Sequence, residues 1–220
     1  MKKILIGIVF AVIAFTAAAQ EEGKTTNQLE SRIYAEVEKE FLKDKSLSVS
    51  FSPEFRFAEP FKYDKTLLKL GVSYNVMGWF KIGVGGRAVF NETKKRGTET
   101  WVRLDADISK NIKIWKFRLK PRIRYCNYQE IKTKDEKTDM LRYRLLLGFK
   151  YGKKAIFEPE AGAELFHNLN SGLISSIRYS VGGDFRINKH NYIAVAYMLE
   201  TEFKTRINTH IAEVGYKFKF

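Results

Sequence analysis

The sequence predicts an all-β protein, an antiparallel transmembrane β-barrel of 10–12 strands with twelve favoured. Three observations carry this expectation. Apolar and polar residues alternate with a period of two along most of the chain. Residues 1–19 have the layout of an export signal. The chain also closes on an amphipathic segment that ends in Phe220.

The alternation is clearest between Trp115 and Tyr125. Trp115, Phe117, Leu119, Pro121, Ile123 and Tyr125 alternate with Lys116, Arg118, Lys120, Arg122 and Arg124. A helix would scatter both classes around its circumference, whereas a strand separates them onto two faces. The pattern recurs in Leu47–Phe57, Leu68–Val76, Leu141–Lys150, Phe157–Leu165 and Ile177–Arg186. Strands are predicted near 31–42, 46–58, 65–77, 79–91, 99–109, 112–126, 139–152, 154–166, 174–187, 191–202 and 207–220. Their lengths meet or exceed the ~9–11 residues that cross a bilayer at a tilt.

That count is eleven, whereas bacterial single-chain barrels have even numbers and both termini in the periplasm. Three resolutions are open. Lys24–Leu29 supplies a twelfth strand, segment 31–42 does not pair fully, or one hairpin is misplaced. Short connections are expected near Asp44, Met77-Gly78, Lys110-Asn111, Gly152-Lys153 and Asn188-Lys189, and longer ones near 59–64, 92–98, 127–138, 167–173 and 203–206. Short turns at one end and longer loops at the other suit a membrane barrel. A soluble β-sandwich or lipocalin-like barrel would turn its apolar face inward. Here that face also carries aromatics near strand ends, as an interfacial girdle does.

At the N-terminus, Lys2 and Lys3 precede the apolar run Ile4–Phe15, and Ala17-Ala18-Ala19 follow. This is a cleavable signal peptide over residues 1–19, too short in its apolar part to span a bilayer. Residues 20–30 are then an N-terminal segment with a weak first strand, and 31–220 a single barrel domain. No cysteine follows the cleavage site, and the one cysteine, Cys126, cannot form an internal disulfide. The formal charge of +14 falls by two without Lys2 and Lys3. In a cytosolic protein such charge would suggest nucleic acid. For an exported chain, the expected partners are anionic lipid headgroups and lipopolysaccharide phosphates.

The final segment, Glu213–Phe220, carries Gly215 and then aromatics at Tyr216, Phe218 and Phe220 on one face. It resembles the β-signal read by the barrel-assembly machinery, which pairs with a free strand edge by strand addition. The mature chain also resembles an uncharacterised, domain-of-unknown-function family of outer-membrane barrels of Bacteroidota-type bacteria. The resemblance lies in Leu47–Phe57 with Glu54 and Arg56, in Leu141–Tyr151, in Phe157–Phe166, and in Arg178 and Gly182. It implies a fold and an outer-membrane location, and no activity.

With the apolar faces toward lipid, the opposite faces line a lumen. Its expected charge network is Glu54, Arg56, Arg87, Asp105, Asp107, Lys116, Arg118, Lys120, Arg122, Arg124, Arg142, Arg144, Glu158, Glu160, Glu164, Arg178 and Arg186, with Glu36, Glu38 and Glu40 from the first strand. The expected function is a monomeric envelope barrel with a charge-filled lumen. The alternative is a narrow, porin-like, anion-preferring channel. A lipid-modifying hydrolase built on His167 and Ser171 is a third reading, but it lacks an evident acid to orient the histidine. No cofactor is expected, and no His/Cys/carboxylate cluster has zinc spacing. Gly83–Gly86 lies within a strand and is no phosphate loop.

Overall fold

The computed structural model describes residues 26–42, 46–58, 62–77, 79–93, 97–131, 137–149 and 155–220. The expected signal peptide, most of the 20–30 segment, Lys94-Lys95, the bulk of the 130–137 loop and the Gly152-Lys153 connection lie outside them. Twelve strand segments are present: β1 (Thr26–Phe41), β2 (Leu47–Ala58), β3 (Lys62–Met77), β4 (Phe80–Thr93), β5 (Gly97–Lys110), β6 (Ile112–Ile114), β7 (Phe117–Glu130), β8 (Lys137–Phe149), β9 (Phe157–Asn168), β10 (Leu173–Arg186), β11 (Asn191–Glu202) and β12 (Ile207–Lys219).

Consecutive strands pair throughout except β5 and β6, β5 pairs with β7, and β1 pairs with β12, so the sheet closes into a barrel. The short β6 pairs only with the start of β7, beyond the end of the β4–β5 ladder. Eleven strands therefore form the closed ring. The break between β5 and β6 has a local cause. The β5–β7 ladder runs to Ser109↔Arg122 and resumes in the same register at Ile112↔Leu119. Between those pairs β7 presents Pro121, which has no N–H to donate. The chain turns five residues later than expected from Lys110-Asn111. The turn is Trp115-Lys116, and Trp115 takes the left-handed conformation at φ 54°.

An odd ring has a consequence for its ends. Residues 26–29 prolong β1 instead of forming a separate strand, so the β1–β12 seam is parallel, from Thr26↔Ile207 to Glu38↔Lys219. Thr26 and Phe220 thus lie at opposite ends of the barrel, not at one end as an even count requires. The seam is well tied. Phe220 N–H donates to the Glu38 carbonyl at 3.0 Å, and Glu40 N–H donates to the Phe220 carbonyl at 2.9 Å. Lys219 Nζ lies 2.9 Å from Glu38 Oε2.

The connections do not sort by length as the sequence suggested. The end that carries Phe220 holds two-residue turns at 78–79 and 115–116, but also the seven-residue connection 150–156. At the other end β5 begins at Gly97 and β3 at Lys62, so residues expected in loops extend the ladders instead.

The two faces of the wall are inverted relative to a soluble domain. Val84 is 61% exposed and Leu104 59% on the outside, whereas Glu54 is 1% and Arg103 2% exposed on the inside. Apolar residues also dominate the rest of the outer face, with Ile33, Phe51, Leu70, Ile108, Leu145 and Val214 exposed. In a soluble protein, charged residues are seldom this buried and apolar ones seldom this exposed in a continuous belt.

Candidate functional site

The interior is built from inward positions at alternate residues of each strand. On β7 these are Arg118, Lys120, Arg122 and Arg124. On β9 they are Glu158, Glu160 and Glu164. The two strands do not touch, since β8 lies between them. Their charges nonetheless pair: Arg118 with Glu158, Lys120 with Glu160, and Arg122 Nη2 with Glu164 Oε1 at 3.1 Å. The pairs reach across β8 because its inward positions there include Gly148. A Cβ on Gly148 would stand 3.3 Å from Glu160 Oε1. Long side chains on flanking strands fill the space that a small residue leaves.

Glu164 is the hub. It accepts from Arg142 Nη2 at 2.9 Å and from Arg122, and Arg178 Nη1 lies 3.8 Å from Oε2. Phe166, buried in the same row, has the guanidinium groups of Arg142 and Arg178 over its ring at 4.7 and 4.8 Å. Arginine stacks on aromatic faces in this way while its edge donors hold a carboxylate.

Three further clusters complete the wall. Glu54 accepts from Arg56 Nε at 2.6 Å and from Lys69, and Glu30 pairs with Arg32. Arg103 donates to Asp105 at 2.6 Å and to the Tyr128 hydroxyl at 3.1 Å, and Arg124 donates to Asp107 at 2.7 Å. Arg178 Nε donates to Glu200 at 2.9 Å, and Ser176 Oγ donates to the same carboxylate at 3.1 Å. Buried charge persists only when paired and hydrogen-bonded, and these groups meet that condition.

Two cavities occupy the interior, of about 500 and 1050 Å³. The smaller is bordered by eleven Lys or Arg residues and three Glu. The larger is bordered by Glu36, Glu38 and Glu40, with Lys81, Lys217 and Lys219 among the cations near them. Arg87 and Arg144 border both. Neither makes a salt bridge among the described residues, and the Nε of each is buried without a hydrogen-bond partner.

Of the residues expected in the network, Arg87 and Arg144 face the lumen without a salt bridge among the described residues, and two others stand at exposed positions beyond it. Lys116 lies in the exposed β6–β7 turn, with Nζ 4.8 Å from the Trp115 ring. It had been placed on a strand because the turn was expected at Lys110-Asn111. Arg186 is exposed at the end of β10, and its Nε donates to the Asn188 carbonyl at 3.3 Å. Sequence reasoning omitted Arg32, Lys69, Arg103, Phe166 and Glu200. All but Phe166 are polar positions of alternating strands, so extending the alternation to 30–34 and 101–107 would have found Arg32 and Arg103. Phe166 breaks the pattern, and only tertiary contact explains it.

His167 and Ser171 are each engaged elsewhere. His167 stacks on Tyr143 with ring centroids 6.5 Å apart. Ser171 Oγ donates to the Asn168 carbonyl at 3.5 Å, and it accepts from Leu173 N–H at 3.4 Å.

In the last strand, Gly215 has a structural use. It stands opposite Tyr34 across the seam, and the Tyr34 ring lies flat over it where a Cβ would project. Phe218 and Phe220 pack with ring centroids 5.4 Å apart, and Lys39 Nζ lies 4.9 Å from the Phe220 ring centre. Tyr216 donates its hydroxyl to Asn191 Oδ1.

These features define a class, a closed β-barrel with an apolar exterior and an ion-paired interior. Within it, the chain belongs to a family of proteins of unknown function (DUF2490), whose model matches residues 35–210. That stretch runs from within β1 through β11 into the first residues of β12 and ends before Gly215–Phe220. No curated protein and no solved structure matches this chain.

Proposed function

We propose that the protein is a bacterial outer-membrane β-barrel, a monomeric envelope protein whose lumen is obstructed by its own ion pairs. The observation that carries this reading is the inversion of the wall, with Val84 and Leu104 outside and Glu54, Arg103 and Glu164 buried inside. Only a lipid exterior makes such a surface favourable, and only closed barrels or helices satisfy their backbones there. The signal-like residues 1–19 and the β-signal-like terminus support export and insertion. They make the assembly machinery a transient partner, and they put the Phe220 end toward the periplasm. Lipid and lipopolysaccharide are the lasting partners. No catalytic role is proposed.

Density-gradient fractionation of the producing cells tests the location, with co-sedimentation with outer-membrane markers expected. Recovery as a soluble periplasmic protein would overturn it. Planar-bilayer recording on refolded protein tests the lumen, and silence is expected.

The second reading is a narrow anion-preferring channel. It is favoured by the excess of cations around the smaller cavity. Discrete anion-selective conductance that falls in Arg122→Glu would establish it in place of the obstructed lumen.

Deleting Phe220 removes a residue held by backbone hydrogen bonds to Glu38 and Glu40 and by the Lys39 ammonium. Less of the compact, heat-modifiable form is expected on gels of whole membranes. Unchanged levels would separate the terminal aromatic from assembly.

A further inference from the structure

We propose that the smaller lumen cavity is a binding site for a soluble, phosphate-bearing solute, gripped by Arg87 and Arg144. The proposal rests on the reading of the inward face as a lumen and is independent of whether that lumen conducts.

The argument is one of matching charges. Among the cations that border the cavity, Arg32, Arg56 and Lys69 share Glu30 and Glu54, and Glu213, the third glutamate on the cavity, also acts on Arg56 and Lys69. Arg103 and Arg124 have Asp105 and Asp107, Arg178 has Glu200, and Lys65 has Asp64 at 3.0 Å. Arg122 and Arg142 divide the single carboxylate of Glu164. Arg87 and Arg144 are left over, with no salt bridge among the described residues.

The register makes their position worse. Arg87 stands directly opposite Lys69 on one side and Arg103 on the other. Arg144 stands directly opposite Arg122 on one side, and on the other opposite Glu164, a carboxylate already bonded to Arg122 and Arg142. Like charges facing each other across a sheet are destabilising, and the carboxylates that act on these two part-buried guanidinium groups, Asp105 on Arg87 and Glu164 with Glu160 on Arg144, are each bonded to other cations. Arginine does not relieve this by losing its proton, since its basicity is too high.

A bound anion relieves it. The excess of cations over carboxylates at the cavity calls for added negative charge, and each planar fork fits two oxygens of a tetrahedral phosphate. A chloride ion offers one charge and no fork. A cavity of about 500 Å³ falls within the ~300–1,000 Å³ range of small-ligand sites. It therefore accommodates either free phosphate or a small phosphate ester. The site lies on the inner face of a closed ring, so a membrane phospholipid does not reach it.

The test uses refolded full-length protein in detergent micelles, followed by thermal unfolding of its strand signal. Sodium phosphate, glucose 6-phosphate and sodium chloride are titrated at equal ionic strength. Saturable stabilisation by phosphate, by glucose 6-phosphate or by both is expected, and none by chloride. A stronger response to the ester identifies esters as the source, and a stronger response to phosphate identifies the free ion. Arg87→Gln and Arg144→Gln are each expected to weaken the response about tenfold or more, as loss of a charged hydrogen-bonding group does. Where a Gln variant does not fold, Arg87→Lys or Arg144→Lys keeps the charge, loses the fork, and is expected to weaken binding. A response to phosphate that is no greater than that to chloride would overturn the proposal. So would unchanged affinity in both folded variants. A soluble periplasmic location or an open conductance would overturn the functional reading and leave this result standing.

Discussion

Replacing Glu164 with glutamine is expected to destabilise the barrel by about 3–5 kcal/mol, the usual cost of breaking a buried ion pair by removing one partner. The carboxylate is 7% exposed and serves Arg142 and Arg122 directly, with Arg178 close by. Glutamine keeps the shape and one acceptor oxygen but removes the charge. Arg142, itself 9% exposed, is then left without an ion-pair partner among the described residues, and Arg122 likewise. The clustered arginines would repel one another across the lumen. The measurement is the urea midpoint of the refolded protein in lipid vesicles. Glu158→Gln is the comparison, because its pair with Arg118 is more open, at 25% and 20% exposure, and ion pairs contribute less as exposure to solvent rises. Equal midpoints for the two variants would show that Glu164 is not the centre of the network.

The second large effect is expected at Gly215. Gly215→Val should prevent stable closure of the ring. Even the first carbon of a side chain there would run into the Tyr34 ring, which lies across the glycine at the β1–β12 seam. Tyr34 faces inward, flanked by Glu36 and Arg32 at the neighbouring inward positions of β1 and bordering the larger cavity, so its ring must leave the seam for that space to admit the new side chain. Overpacking of this kind costs about 1–3 kcal/mol even in tolerant cores. Here it falls on the one pairing that turns an open sheet into a barrel. The readout is the fraction of compact, heat-modifiable protein after refolding. Combining Gly215→Ala with Tyr34→Ala should restore closure relative to Gly215→Ala alone. A single Gly215→Val variant that folds as well as the parent would refute the steric account. Gly215 also illustrates how two signals coincide. It reads in the sequence as part of a targeting motif, and in the structure as the flat place where β1 docks.

The period-two pattern by itself determined that the chain forms strands, and it also determined which face of each is charged. Side-chain direction in a strand is a local property, decided by residue parity. That is why Glu54, Arg122, Arg142 and Glu164 were legible as inward residues before any fold was known. Local parity breaks where a turn is misplaced, which is how Lys116 came to be put on a wall.

Only the tertiary structure decided the rest. Whether residues 26–29 turn back or prolong β1 depends on what β12 offers them. The odd ring and its parallel seam are therefore facts of long-range pairing. That β7 pairs three of its charges with β9 and not with β8 depends on what β8 sets opposite β7, the cations Arg142 and Arg144 and the small Gly148, so that the nearest carboxylates stand one strand further on. The lack of a salt bridge at Arg87 and Arg144 is likewise a matter of register. Arg87 looks like any other lumen arginine until both its cross-strand neighbours prove to be cations, and Arg144 until the one carboxylate opposite it proves to be bonded to two other arginines. Alternation assigns a residue to a face, but electrostatic partnership depends on which strand stands opposite and at what height. Those are set by closing the ring.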